Sequence, residues 1–368
     1  MSASDSLGEE FREIGNCGGK LELIRNEEGI SMSISGKGFT GYVQVGISLD
    51  GERMEFWPMR GVDQRPAKEP SPMVPAFLPA DKTGLWGRQC PKCQAYFRTN
   101  GIREYMFCPY CNYRARAAAF TTKNQHAFLN SQRELWITAF EGGENVTIDL
   151  DRIASDLPQN QPSWTPREEQ QQFRFVCERC QTSCDILGEY GSCPACGYRN
   201  SLTVLKRHWD ALDKEFQLVD TEIQDRQERA RKWESLLPRY ISAFEAMVHD
   251  IRAQLVTLPM IAKRRKEVGS LSFQQIGQAE ESIRKWFGIE IFFGLKPEDQ
   301  RFLNREFNRR HLLVHRAGRV DDEYLQKTGD TSVKLHQSIR VQSSDVARLA
   351  KLLFQCAQNF FEQFSSIS

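Results

Sequence analysis

This chain has almost no net charge, no leader-like pattern at its start and no long apolar run. Its 49 lysines and arginines nearly cancel 48 aspartates and glutamates, leaving +1. No whole-molecule field therefore draws it to nucleic acid or membrane, and any basic footprint has to be local. The start, Met1-Ser-Ala-Ser-Asp5, is polar and acidic, without the basic-then-apolar pattern of a secretory leader. No apolar run is long enough to span a bilayer. These absences predict a cytoplasmic protein with no membrane partner. Hydrophobic residues at 40% and charged residues at 26% suit a soluble folded chain, and 368 residues suit two or more domains.

Nucleotide-binding fingerprints are missing as well. Gly36-Lys37-Gly38-Phe39-Thr40-Gly41 carries the letters of a dinucleotide site, but an alternating strand pattern follows it. A pyrophosphate would need a helix N-terminus there, so the stretch reads as a glycine-rich hairpin loop. Gly18-Gly19-Lys20 is followed by Leu21 rather than serine or threonine, so it is no phosphate-binding loop. His311 and His315 have the helical spacing of two metal ligands but lack the glutamate that a zinc peptidase uses as base.

Cysteine, by contrast, is plentiful and patterned. Of eleven cysteines, eight fall into four Cys-x-x-Cys pairs. Cys90/Cys93 and Cys108/Cys111 are separated by fourteen residues, Cys177/Cys180 and Cys193/Cys196 by twelve. Each pair can turn two thiolates toward one ion, and two pairs complete a tetrahedron. In a cytosolic chain this predicts two structural Zn2+ sites rather than disulfides, with iron the nearest rival. Both stretches resemble zinc ribbons, which implies closed four-thiolate sites without an open position for substrate. Cys184 is a spare thiol, readable as an alternative ligand or as a small buried residue. Tyr96, Phe97, Arg98, Arg103 and Tyr105 form a mixed aromatic and basic stretch that either stacks bases or covers the first metal.

The surrounding pattern predicts a multidomain α+β chain. Residues 1–57 read as a small β domain: Ile30, Met32 and Ile34 alternate, Val43, Val45, Ile47 and Leu49 alternate again, and Asp50-Gly51 signals a hairpin turn. Six prolines from Pro58 to Pro79 mark 58–82 as an extended linker. Zinc ribbon one is placed at 83–125, a connector at 126–171 and ribbon two at 172–201. Leu202, Leu205, Trp209, Leu212, Phe216, Val219 and Ile223, resumed after Arg226 by Ala230, Trp233 and Leu237, give a long heptad-patterned helix over 202–237. It could pack on its own chain or join two copies. An all-helical domain follows at 238–368. Its first apolar stripe runs from Tyr240 to Leu255, Ser272 with Gln275 suggests a capping box, and Pro297 suits the first turn of a helix ending by Gly318. A last helix is expected from about Asp345 to Phe364.

The most informative stretch is Asn308-Arg-Arg-His-Leu-Leu-Val-His-Arg-Ala-Gly318. Arg301, Arg305, Arg309, Arg310, Arg316 and Arg319 surround it against a single acid, Glu306. Guanidinium forks suit phosphate, and imidazole is the side chain best poised for proton transfer near neutral pH. Arg310 could equally pair with Glu306 one turn away, with the histidines capping the helix.

From Pro238 onward the chain resembles a HEPN domain (higher eukaryotes and prokaryotes nucleotide-binding), a helical bundle. Its ribonuclease members carry arginine, four to six residues, then histidine. Arg310 and His315 match that motif with His311 as the favoured polar residue after the arginine, and Phe244-Glu245-Ala246 and Gly318-x-x-Asp321-x-x-Tyr324 also look like bacterial members. The resemblance implies metal-independent cleavage of RNA by 2′-hydroxyl attack, leaving a 2′,3′-cyclic phosphate. His315 would transfer protons, Arg310 would neutralise phosphoryl charge, His311 would orient the phosphate or its partner histidine, and Arg309 and Arg316 would bind nucleic acid. No cofactor is implied for catalysis. On a straight helix Arg310 and His315 lie roughly 140° and about 7.5 Å apart, so either the helix end distorts or two copies share one site. HEPN ribonucleases are known for the shared arrangement, and a homodimer is expected. The company such nucleases keep suggests a bacterial toxin or phage-defence effector, with a regulatory protein or nucleic acid as trigger. Two other readings stand beside it. One is a non-catalytic zinc-ribbon nucleic-acid-binding or scaffold protein whose bundle only dimerises. The other is one half of a nucleotidyltransferase pair, needing a partner because the Gly-Ser and paired-aspartate signature is lacking.

Overall fold

A computed structural model of the chain describes residues 12–27, 29–35, 41–57, 73–142, 145–157 and 172–367. The glycine-rich loop read at 36–41 falls outside these apart from Gly41, as do the proline-rich 58–72 and residues 158–171. The chain divides into two compact units, Met1–Arg199 and Asn200–Ser368. Helices and small antiparallel sheets are mixed as the α+β expectation requires.

In the first unit, β1 (Lys20–Asn26) lies between β2 (Gly29–Ser35) and β10 (Val146–Asp149), and β3 (Tyr42–Ser48) lies between β4 (Met54–Trp57) and β5 (Met73–Pro79). Ser48 and Gly51 close the expected turn through a backbone bond of 2.9 Å, with Gly51 at φ 78°. Two boundaries drawn from sequence shift here. The end of the proline stretch is strand β5 rather than linker. Pro75 and Pro79 are tolerated because β5 is an edge strand, where a missing N–H costs no ladder bond. The supposed connector is part of the core. Helix α1 (Lys123–Gly142) supplies Phe128, Leu129, Trp136 and Ala139, and β10 with α2 (Leu150–Asp156) supplies Ile148, Leu150 and Ala154. Helix α1 also covers the open side of β5. The Gln132 carboxamide accepts from Phe77 N–H and donates to Phe77 C=O, each at 3.0 Å, and Trp136 Nε1 donates to Pro75 C=O at 2.9 Å. An edge that would otherwise invite another strand is thereby closed.

The strands that flank the cysteine pairs do not make two separate ribbons. β6 (Trp86–Gln89) and β7 (Tyr96–Thr99) join β12 (Ser183–Leu187) and β11 (Gln172–Val176) in one antiparallel sheet, ordered β11-β12-β7-β6. Its seam is a row of charge across neighbouring strands. Asp185 on β12 stands opposite Arg98 on β7 and Arg174 on β11. The Asp185 carboxylate accepts from Arg98 Nη2 at 2.6 Å and Arg174 Nε at 3.2 Å, and Arg98 Nη1 reaches Asp81 at 3.0 Å. A short hairpin, β8 (Tyr105–Phe107) with β9 (Arg114–Arg116), stands apart from this sheet.

The second unit is helical, with α3 (Ser201–Glu222), α4 (Arg226–Leu255), α5 (Ala262–Gly269), α6 (Ile276–Phe287), α7 (Pro297–His315), α8 (Asp322–Thr328) and α9 (Ser343–Ile367). The expected long helix over 202–237 is broken at residues 223–225, where the Asp225 carboxylate caps α4 through Glu228 N–H at 2.7 Å. Helices α3 and α4 then run back along each other, with Tyr240 OH on Asp213 at 2.5 Å and Ser201 Oγ on Asp250 at 2.5 Å. The heptad seam is consumed inside the chain. Trp209 packs on Tyr240 and on Phe354 of α9, and Phe216 packs on Trp233. It is not available to tether a second copy. Pro238, placed at a domain boundary from sequence, sits within α4. The apolar stripe from Tyr240 to Leu255 is buried as expected. Gln275 caps α6 without a side-chain bond, so the Ser272 capping box does not form. Pro297 does open α7, and Gly318 at φ 76° closes it by donating to Leu312 C=O at 2.9 Å.

Replacing Asp185 with alanine would leave Arg98 buried with one carboxylate in place of two. We expect a loss of about 3–5 kcal/mol in urea denaturation of the full chain. Lys20→Ala removes a solvent-exposed pair with Asp149 and should cost no more than about 1 kcal/mol.

Candidate functional site

The four cysteine pairs fold as copies of one local turn. In each, the residue four past the first cysteine adopts a left-handed conformation: Gln94, Asn112, Gln181 and Gly197, with φ between 54° and 75°. Each of these N–H groups donates back to the first cysteine's carbonyl at 2.8–3.0 Å, and each first cysteine N–H donates to the carbonyl of the next residue along at 2.8–3.0 Å. That turn leaves both thiols of a pair on one side. Across pairs, Cys90 and Cys111 Sγ lie 3.7 Å apart, Cys93 and Cys108 3.6 Å, Cys177 and Cys196 3.7 Å, and Cys180 and Cys193 3.6 Å. Tetrahedral zinc with bonds of about 2.3 Å places its thiolates about 3.8 Å apart, so both sets fit such an ion. Cys184 is buried on β12 and stands outside the set of four.

The two centres are bolted together through Tyr110, which follows Cys108 by two. Its hydroxyl donates to Tyr96 C=O and accepts from Leu187 N–H, each at 2.9 Å. Burial pushes the Cys177 thiol up to about 11. Against the same burial, the Thr182 hydroxyl and backbone hold Cys180 at about 7. Metal binding must therefore displace protons, and more of them as the solution becomes acidic.

The second candidate is a cleft at the C-terminal end of α7. Arg310, His311 and His315 all line it, with Asn308, Gln274, Gln275, Asp321, Glu323 and Lys327. The two imidazoles are exposed and their ring centres lie 4.9 Å apart. The chain leaves helical geometry directly after His315, with Arg316 at φ −129° and Ala317 at φ 51°. Arg310 and His315 thus reach one cleft of a single chain. Arg310 does not pair with Glu306. Its Nη1 donates to Glu245 Oε1 on α4 at 2.6 Å, which leaves the rest of its donor fork open among the described residues. Lys327 is paired with Glu323 at 2.6 Å, and Asp321 caps α8 through Tyr324 N–H at 2.8 Å.

Arg309, expected to contact nucleic acid, points the other way. Its side chain is 7% exposed and lies within 3.3–3.4 Å of Glu306, Asp330 and Asp345. Burial works against its charge, but Glu306, the Tyr324 hydroxyl and Asp345 hold it more firmly protonated than usual. Asp330 is also partly desolvated, yet bonds from Ser332 and Tyr324 and the charge of Arg309 bring it down to about 2. Arg309 is a structural cation. Arg316 is 60% exposed and only loosely placed by Asp321 at 3.9 Å, so it remains available to a ligand. Lys327 was not singled out from sequence, and Glu245 was noted only within the Phe244-Glu245-Ala246 stretch, without its pairing to Arg310. Only their place on α4 and α8 relative to α7 reveals them. Tyr96, Phe97 and Arg98 of the first ribbon are buried, which settles that part of the aromatic stretch as packing.

No family model, curated protein or solved structure matches the chain.

Elemental analysis of the purified chain should find two metal ions per chain, and one after Cys193→Ser. Release to a chromogenic chelator should be faster at pH 6 than at pH 8, because protons compete for the thiolates. Arg309→Met strands buried carboxylates and should cost about 3–5 kcal/mol in urea denaturation. The part of this contributed by Asp330 is present above its unfolded value near 3.8 and disappears as pH falls toward 2.

Proposed function

We propose that the Asn200–Ser368 unit is a HEPN-type endoribonuclease centre that needs no metal for cleavage. The observation that carries this is the convergence of Arg310, His311 and His315 on one solvent-open cleft. The arginine beside them is spent on internal acids, so the choice of which guanidinium faces solvent is specific.

In this reading the ribose 2′-hydroxyl attacks the adjacent phosphorus and the bond to the 5′-oxygen breaks. The products are a 2′,3′-cyclic phosphate and a 5′-hydroxyl. The proton lost by the attacking hydroxyl and the proton gained by the leaving oxygen pass through imidazole, with His315 the transferring group. Arg310 stabilises charge growing on the phosphoryl oxygens with the donors that Glu245 leaves open. His311, packed beside His315, orients the phosphate or its partner ring. Glu245 fixes the guanidinium in place, and Arg316 adds a phosphate contact at the rim. DNA lacks the attacking hydroxyl and is not cut by this route. A second copy facing the same cleft would add a second pair of imidazoles, which is the homodimer this reading favours. The first unit then serves to sense or regulate, as suits a toxin or phage-defence effector.

Incubation with RNA in magnesium-free buffer tests the reading. The wild type should leave cyclic-phosphate ends. His315→Ala should lose about 10²–10⁴-fold in rate and Arg310→Ala about 10²–10³-fold, with metal content unchanged in both. Equal cleavage by all three proteins would instead favour a non-catalytic nucleic-acid-binding or scaffold protein. Chelation is not a useful control, because stripping the cysteine centres can unfold the first unit.

A further inference from the structure

The β8–β9 hairpin carries the sequence Tyr105-Met-Phe107 on one strand and Arg114-Ala-Arg116 on the other. Alternation along a strand sends Met106 and Ala115 to one face and the four larger side chains to the opposite face. Met106 is fully buried, so the first of these faces is the inner one. On the outer face the register sets Tyr105 opposite Arg116 and Phe107 opposite Arg114. The Arg114 guanidinium lies 5.0 Å from the Tyr105 ring centre and 5.7 Å from that of Phe107. Arg116 is hydrogen-bonded to Tyr105, which raises its already high pKa.

Tyr105 is 39% exposed, whereas Tyr113, just past the Cys111 knuckle, has its ring 6.3 Å from that of buried Phe120. Arg103, Arg114 and Arg116 are exposed too, with Glu104 and Glu55 as the acids that act on Arg116. From residue 101 to 120 the one acid is Glu104, against these three arginines. The Tyr105 ring and the Arg114 guanidinium plane thus stand together on a hairpin face open to solvent. Tyr96 and Phe97, by contrast, are buried.

We propose that this outer face binds single-stranded RNA. Unpaired bases stack on Tyr105 and against the plane of Arg114, and Arg103 and Arg116 meet the phosphates. A duplex hides its base faces and would meet only the arginines. The assignment of RNA over DNA rests on the ribonuclease reading above; the stacking surface itself does not.

Fluorescence anisotropy of the 368-residue chain with a 5′-labelled, unstructured 15-nucleotide RNA tests this, in a His315→Ala background that keeps the probe whole. Tyr105→Ala should weaken binding by at least about fivefold, while Tyr105→Phe, which keeps the ring, should bind as the parent does. Arg103→Ala lies outside both strands and cannot disturb the hairpin. It should lower the slope of log affinity against log salt by about 0.7. Metal content and melting temperature, unchanged from the parent, certify folding. Parent-like binding by Tyr105→Ala and Arg103→Ala together overturns the proposal, as does displacement of the probe by poly-glutamate as readily as by unlabelled RNA. Equal affinity for the same sequence in DNA overturns the RNA assignment. Failure of the ribonuclease reading shows separately, as uncut RNA with the wild-type chain, and leaves the anisotropy result standing.

Discussion

Two adjacent arginines on α7 meet opposite fates, and the second unit is organised around that difference. A helix turns about 100° per residue, so Arg309 and Arg310 cannot face the same way. Arg309 enters a buried nest of Glu306, Asp330 and Asp345, a burial that only matched carboxylates make tolerable. This nest ties α7 to α9 through Asp345 and to the loop after α8 through Asp330. Once it forms, the rotation of α7 is fixed, and Arg310 with the two imidazoles is turned to the cleft.

The first unit solves a different problem with the same economy of parts. Small β elements hold little apolar surface between them, and short hairpins are marginal alone. Four repeated cysteine turns supply rigid corners, while the Arg98–Asp185 contact and Tyr110 make the two cysteine centres share one sheet. The hairpin that carries Tyr105 and Arg114 is rooted directly in the first centre, because Cys108 follows β8 and Cys111 precedes β9. Its outer face can therefore be polar and aromatic without weakening the fold.

Much of this was legible in the residues. Spacing alone located the cysteine sets, and the turn at Asp50-Gly51, the opening of α7 at Pro297 and its close at Gly318 follow from local backbone chemistry. The Arg/His stretch was found because no other part of this sequence interleaves guanidinium and imidazole so closely. What failed was non-local. Heptad spacing describes a helix face but not whose helix covers it, so α3 could not be told from a coiled-coil strand until Tyr240 and Phe354 were seen on it. Proline counts suggested a linker where an edge strand was possible. Arg309 and Arg310 look alike in sequence, and only the carboxylates of Asp330 and Asp345, distant along the chain, separate them. The joining of the cysteine sets was hidden for the same reason.

That joining bears on how the chain is made. Arg98 and Asp185 lie 87 positions apart, so β7 waits a long time during synthesis for the strand that completes its sheet. The earlier cysteine set can close on a metal as soon as Cys111 emerges, and β6 can pair with β7 at once. Until β12 arrives, however, the far side of β7 presents unpaired N–H and C=O groups, with a charged arginine at its middle. Open strand edges invite other chains, and slow long-range pairing prolongs the exposure. The arginine that later anchors the sheet is thus also a guard on the nascent protein, discouraging wrong partners before the right one exists.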